Sequence, residues 1–154
     1  MKHELSIATA LMLMPLALVA IAGMPYGVPL VSEVRSVYDG DTFRVDVEDW
    51  PRIIGDDIPI RLRGADTPEL RSRCATAEQK EREHALANQA RDFTAAALDS
   101  ASVITLHDID RGSFFRVIAD VRLDGESLSE RLLDAGLAVP YQPGNSDAWC
   151  GGEP

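Results

Sequence analysis

Between residues 31 and 123 the hydrophobic period changes from two to about 3.6 and back to two, and that order leaves few folds open. "VSEVRSVY" (31–38) and "TFRVDV" (42–47) alternate apolar and polar residues on either side of Asp39-Gly40-Asp41, and Asp-Gly is a strong hairpin signal. "EDWPRIIGDDIP" (48–59) reads as a long polar hairpin tip. "IPIRLRGAD" (58–66) alternates again, with Ile58, Ile60 and Leu62 on one face and Arg61 and Arg63 on the other. From Ala77 to about Ala101, Leu86, Ala90, Phe93 and Ala97 recur at three- and four-residue steps, which predicts one long helix. "SVITLHDI" (102–109) and "FFRVIADVRL" (114–123) return to strand, the second with Phe115, Val117, Ala119, Val121 and Leu123 on one face. Ser127 and Glu130 have capping-box spacing before a short helix carrying Leu128, Leu132 and Leu133 and stopped by Gly136. The expected fold is therefore α+β and mainly β. It is a five-stranded Greek-key barrel of the OB type, with a long helix after strand 3 and a short helix after strand 5.

One such domain accounts for residues 31–141, with a linker at 23–30 and a tail rich in proline and glycine at 142–154. Residues 5–24, "LSIATALMLMPLALVAIAGM", carry no charge and stand apart from the rest of the chain. Residues 1–22 fit a signal peptide, with Ala20-Ile21-Ala22 as a small-x-small cleavage site and Pro15 inside the apolar run. The competing expectation is an uncleaved N-terminal membrane anchor, since the run reaches the length of a spanning helix. Either way the domain is expected outside the cytoplasm, as an exported periplasmic or secreted protein or as one tethered through residues 5–24. Cys74 and Cys150 invite one disulfide in an exported chain and two unpaired thiols in a cytosolic one.

A net charge of −10 makes a general polyanion-coating protein a poor expectation, because nucleic-acid affinity comes mainly from neutralising phosphates. Lys2 and Lys80 are the only lysines, so any phosphate site must be built from arginine. Three segments could build it. "DGDT" (39–42) fails as an EF-hand loop, because Phe43 and Arg44 occupy positions where that loop needs an oxygen ligand and a glycine. "RLRGADTPE" (61–69) has a bland reading as a strand followed by a helix start, with Asp66 as cap and Pro68 in the first turn. It also places Arg61 within a few residues of Asp66 and Glu69, a mixture suited to a metal beside a phosphate. Arg116 follows Phe114-Phe115 on the polar face of the fifth predicted strand.

Taken in order, "VYDGDTFRV", "IRLRGADTPE" and "FFRVIADVRLDGESLSERLLDAGLAVPY" resemble the thermonuclease family, the staphylococcal-nuclease-like domains. The resemblance runs from about Val31 to Tyr141. It implies an OB barrel and Ca²⁺-dependent hydrolysis of phosphodiesters in DNA, RNA or both. Carried over residue by residue, Asp41 and Asp66 match calcium-ligating aspartates, and Thr67 the residue that offers its backbone carbonyl. Asp39 matches a secondary acidic neighbour of the metal. Glu69 matches the glutamate that orients or deprotonates water, and Arg61 and Arg116 match two arginines on the scissile phosphate. The physics asks for the same set. A hard cation wants oxygen ligands, and arginines bind phosphate oxygens and the charge that builds on them. This chain departs from the family pattern at Phe114-Phe115, where Tyr-Gly is usual, and at Ser113, where a lysine is usual. Its second hairpin is also longer, with Trp50, Ile53 and Ile54 at the tip. A monomer with a nucleic-acid substrate and no stable protein partner is expected. The alternatives are an inactive OB-fold module that binds nucleic acid or protein at the cell envelope, and an envelope assembly factor.

Overall fold

The computed structural model describes residues 26–144 and 148–151. The segment read as a signal peptide or anchor lies outside them. Five principal strands form one curled sheet: β1 (Val31–Val37), β2 (Thr42–Val47), β3 (Ile58–Leu62), β5 (Ile104–Arg111) and β6 (Val117–Leu123). Their order is β1-β2-β3-β6-β5, with β3 and β6 parallel and the other neighbours antiparallel. Leu30 bridges Thr105, and the Leu106 N–H donates to the Pro29 carbonyl at 3.0 Å. The residues just before β1 thus pair with β5 and draw the sheet edges together, as an OB-like barrel requires.

In β2, β3 and β6 the alternation decides which way each strand faces. The alternation expected of β1 fails, since Val31, Val34 and Val37 turn inward at every third position and its pairing with β2 is twice irregular. Phe43, Val45 and Val47 of β2, Ile58, Ile60 and Leu62 of β3, and Val117, Ala119, Val121 and Leu123 of β6 are all buried. They form one core with Leu106, Leu128 and Leu132. Each large side chain withdrawn from water contributes about 1.5–3 kcal/mol. A one-residue slip of any of these strands would turn its apolar set outward.

The 24-residue helix α2 (Ala77–Ser100) begins at a reciprocal cap. The Gln79 N–H donates to Thr76 Oγ1 and the Thr76 N–H donates to Gln79 Oε1. No helix starts at Thr67, so the bland reading of 61–69 as a strand running into a helix capped by Asp66 does not hold. Small residues dominate the buried face of α2, namely Ala87, Ala90, Thr94 and Ala97, while Leu86 and Phe93 are only half-buried. This face lets the β1–β2 turn come close. Thr94 Oγ1 donates to the Gly40 carbonyl at 2.6 Å. A Cβ on Gly40 would lie 2.7 Å from both the Ala90 Cβ and the Thr67 Cγ2. Gly40→Ala is expected to cost about 1–3 kcal/mol, as other over-packed sites do. A urea midpoint unchanged from the parent would show that the turn does not rest on the helix.

Several local expectations are corrected. The hairpin tip 48–59 contains a one-turn helix, α1 (Arg52–Gly55). The strand expected over 58–66 breaks at Gly64, whose φ of +82° turns the chain into β4 (Ala65–Asp66). Phe115 does not point inward: residues Ser113–Phe115 form a 3-10 turn and β6 starts only at Val117. The capping box at Ser127 is absent because its hydroxyl donates to Asp120 Oδ1 at 2.7 Å instead. The short pair β6–β7 (Glu126–Ser127) then leads into α3 (Leu128–Asp134), and β8 (Val139–Pro140) pairs with β4.

Candidate metal and phosphate site

Asp41 ends the β1–β2 turn and is almost wholly buried. Its carbonyl accepts the Leu62 N–H at 2.9 Å, which ties the turn to the end of β3. Its carboxylate accepts the Thr67 N–H at 2.8 Å, the Thr67 hydroxyl at 3.1 Å and the Thr42 hydroxyl at 3.0 Å. Arg61, paired across β2 with Thr42 and across β6 with Ile118, donates to Asp41 Oδ1 at 2.5 Å and to Asp66 Oδ1 at 2.6 Å. Asp66 is positioned by the β4–β8 pair, whose register sets it opposite Val139. The turn, β3 and β4 therefore bring Asp41, Arg61, Asp66 and Thr67 together.

Glu69 lies on the exposed rim of this group, and its backbone N–H donates to Glu83 Oε1 at 3.1 Å. Glu83 is a buried carboxylate on α2, and its other oxygen lies 3.2 Å from Cys74 Sγ. Cys74 and Cys150 are joined, with Cα atoms 5.2 Å apart, and Gln79 Nε2 donates to the Cys150 carbonyl. The loop carrying Glu69 is thus held at Thr67 by Asp41, at Glu69 by Glu83, and at Cys74 by the C-terminal tail. Glu83 carried no signal in the sequence, being one of several acids on a charged helix.

The electrostatics are those of crowded anions around one bonded cation. Burial pushes the Asp39 carboxyl up to about 7, and the neighbouring Asp41 charge adds to it. Burial also raises Asp66, against the pull of Arg61. Partial burial raises Glu69 too, followed by the charges of Asp41 and Asp66. Burial alone would lower Arg61, but Asp41, Asp66, Asp39 and Glu69 outweigh it and hold the guanidinium protonated. A set of oxygen donors with surplus negative charge fits a hard divalent cation, which would relieve the crowding that the raised carboxyls record. In the present arrangement the guanidinium stands between Asp41 and Asp66. Among the described residues, the trio of ligand atoms within 4.8 Å of one another is instead Cys74, Glu83 and Cys150, whose sulfurs are bonded to each other.

Asp39 makes the stability pH-dependent. The folded chain keeps this proton up to about pH 7, whereas the ordinary value is 3.8. Between those values the folded state binds more protons than the unfolded one, so stability is greatest at the acid end and falls as pH rises towards 7. Asp39→Asn keeps an acceptor for the Asp41 N–H, which lies 3.2 Å from Asp39 Oδ1. The variant is expected to be more stable than the parent at pH 8 by about 2 kcal/mol without divalent cations, and to flatten the profile from pH 4 to 7. Parallel thermal melts across that range check it; coincident profiles for parent and variant would contradict it.

Beside the acidic group opens a cavity of about 650 Å³ whose wall carries Arg61, Arg63, Arg73, Arg111 and Arg116, with Glu69 and Tyr141 at its edge. Arg116 comes from the turn before β6 and is half-buried. Arg63 is held by the Asp108 carbonyl at 3.0 Å and lies 3.7 Å from Asp110. Among the described residues, the side chains of Arg73, Arg111 and Arg116 make no ion pair or hydrogen bond. They are available to an anion. Tyr141 is placed by its N–H donating to the Gly64 carbonyl at 3.0 Å and is more than half exposed on the rim. Arg63 was legible as the residue alternating with Arg61. Arg73, in an irregular segment, and Arg111, the last residue of β5, had no periodic signal. The arrangement can hold a phosphate on guanidinium groups beside a carboxylate of raised basicity and a cluster of hard oxygen ligands.

A family model described as staphylococcal nuclease homologue matches residues 59–148. No curated protein matches the sequence.

Proposed function

The chain belongs to the staphylococcal nuclease homologue family, and on that premise we propose that it is a Ca²⁺-dependent phosphodiesterase that hydrolyses DNA, RNA or both outside the cytoplasm. The observation that carries this reading is the meeting of five arginines and Glu69 in one cleft, where Arg61 also reaches Asp41 and Asp66 beside it. In a chain of net charge −10, that concentration of cations is a local device for one phosphate backbone rather than a general surface property.

Asp41 and Asp66, with the Thr67 carbonyl, are the residues that would hold the cation, and Asp39 adds negative charge behind them. When bound, the cation supplies Lewis-acid stabilisation of charge on the phosphoryl oxygens. The chain's own groups do the rest. Arg116 binds a non-bridging phosphate oxygen and stabilises the extra charge of the five-coordinate transition state. Arg61, on β3 beside both aspartates, would bring its guanidinium to the phosphate from the other side. Glu69, its carboxyl raised by burial and by the Asp41 charge, orients the attacking water and accepts its proton at a carboxylate oxygen. Arg73 and Arg111 bind the flanking phosphates and set the salt dependence.

The test is hydrolysis of labelled single-stranded DNA and RNA by the purified protein with Ca²⁺, with Mg²⁺ and with EDTA. Cleavage that needs Ca²⁺ and stops in EDTA is expected. Binding of oligonucleotide without cleavage under any metal would instead favour an inactive module. That second reading draws on the Arg61 bridge, which already satisfies both aspartates without a metal.

A further inference from the structure

The tip of the β2–β3 hairpin lies outside the arginine cleft, yet it is unusually apolar. Ile53 of α1 is 93% exposed and Ile54 is 53% exposed. Across a hollow of about 440 Å³ they face Tyr26, 57% exposed, together with Trp50 and Phe115. Phe114 and Phe115 are 89% and 82% exposed, at φ values of 57° and 61°. Bulky residues enter that region only when the surrounding chain imposes it. Here the Gly112 N–H closes the turn by donating to the Arg116 carbonyl at 2.8 Å. Two phenylalanines are therefore presented to the outside by a closed turn. The charges around the hollow are largely neutralised in place, Arg44 by Asp57 and Arg52 by Asp56. A contiguous apolar surface of this kind marks a contact face.

We propose that this face lies against a lipid bilayer, with residues 5–24 retained as the span that tethers it there. The uncharged stretch ends at Met24, and Tyr26, two residues on, already lines the hollow. Twenty uncharged, mostly apolar residues match the bilayer core. A chain leaving that core at Met24 delivers the hollow to the headgroup level, where tyrosine and tryptophan rings are favoured and isoleucine and phenylalanine reach deeper. The net charge of −10 opposes attraction to anionic lipids, so the contact is made by apolar burial. Arg111 lines both this hollow and the arginine cleft, so the cleft opens beside the membrane surface. The inference does not depend on the hydrolytic reading, and its test reads no hydrolysis.

The experiment uses the full chain in phosphatidylcholine vesicles. The protein is expected to co-float with the vesicles. Lipid brominated on its acyl chains should quench the emission of Trp50 about twofold or more, measured as the difference between the parent and Trp50→Phe. An Ile53→Asp/Ile54→Asp double variant should still co-float but lose that quenching. Hydroxyl-radical labelling of Phe114 and Phe115 in the unaltered chain should fall several-fold on moving from detergent to vesicles. Failure to co-float overturns the proposal, as does unchanged quenching and labelling in vesicles. So does protection in detergent that appears with rising protein concentration, which would assign the face to a second copy, or with added oligonucleotide, which would assign it to substrate.

Discussion

Asp41→Asn is expected to remove Ca²⁺-stimulated hydrolysis almost completely, by about 10³-fold or more, because a ligand contributes several kcal/mol of charge stabilisation through the metal and each 1.4 kcal/mol is tenfold in rate. The substitution is nearly isosteric and keeps one oxygen for the Thr67 N–H, now 2.8 Å away. It replaces the oxygen facing Arg61 with an amide donor, so the pair at 2.5 Å is lost. Breaking a mostly buried pair costs about 3 kcal/mol, and some loss of stability is therefore expected alongside the loss of activity. The two effects separate by calcium titration of the folded variant. The parent should gain thermal stability with Ca²⁺ by mass action, and the variant should gain little. Full calcium stimulation in Asp41→Asn would remove this residue from the metal site.

Replacing the two arginines should give unlike results, although both are assigned to the same phosphate. Arg116→Ala is expected to lower turnover by about 10²–10³-fold with an unchanged melting temperature, since the side chain supports no other residue among those described. Arg61→Ala should lower turnover at least as much and should also destabilise the fold, because it leaves Asp41 and Asp66 with no guanidinium between them. Arg61→Lys should not rescue it, because one ammonium cannot reproduce two N–H groups held in a planar fork. Ca²⁺ should stabilise Arg61→Ala more than it stabilises the parent, since the cation then meets no competitor between the aspartates. Steady-state kinetics with paired melts decide each point. Equal melting temperatures for the two alanine variants would show that the Arg61 bridge does not hold the site together.

Much of the barrel was legible because its information is local. Val45, Ile60 and Val121 alternate with polar neighbours, and burial proportional to area tells each strand which face must turn inward. Two capping patterns stayed empty for one reason. Asp66 and Ser127 sit in good capping positions, yet their side chains are taken by partners elsewhere, Arg61 and Asp120. A pattern scored on neighbours in sequence cannot detect that competition. Phe115 failed differently. It continues the alternation of β6, but Gly112 and Arg116 close a turn beneath it and leave no strand there to alternate.

From the amino-acid order alone came the five principal strands, the two main helices and the inward faces, because these depend on period and turn chemistry within a few residues. The same order marked Asp41, Asp66, Glu69, Arg61 and Arg116 through a resemblance carried by three separated motifs. Only the tertiary structure decided that these five meet. Asp41 reaches Thr67 across 26 positions and Arg61 across 20. Those contacts exist because β2 pairs antiparallel with β3, which sets Thr42 opposite Arg61, and because α2 presents an alanine face that admits Gly40. The bridging role of Arg61, the support of Glu69 by Glu83, and the gathering of Arg73 and Arg111 into the cleft are likewise products of packing. Hydrophobic burial is non-directional and needs only the right face, whereas hydrogen bonds and ion pairs need a particular partner within about 3 Å. Long-range packing alone supplies that partner.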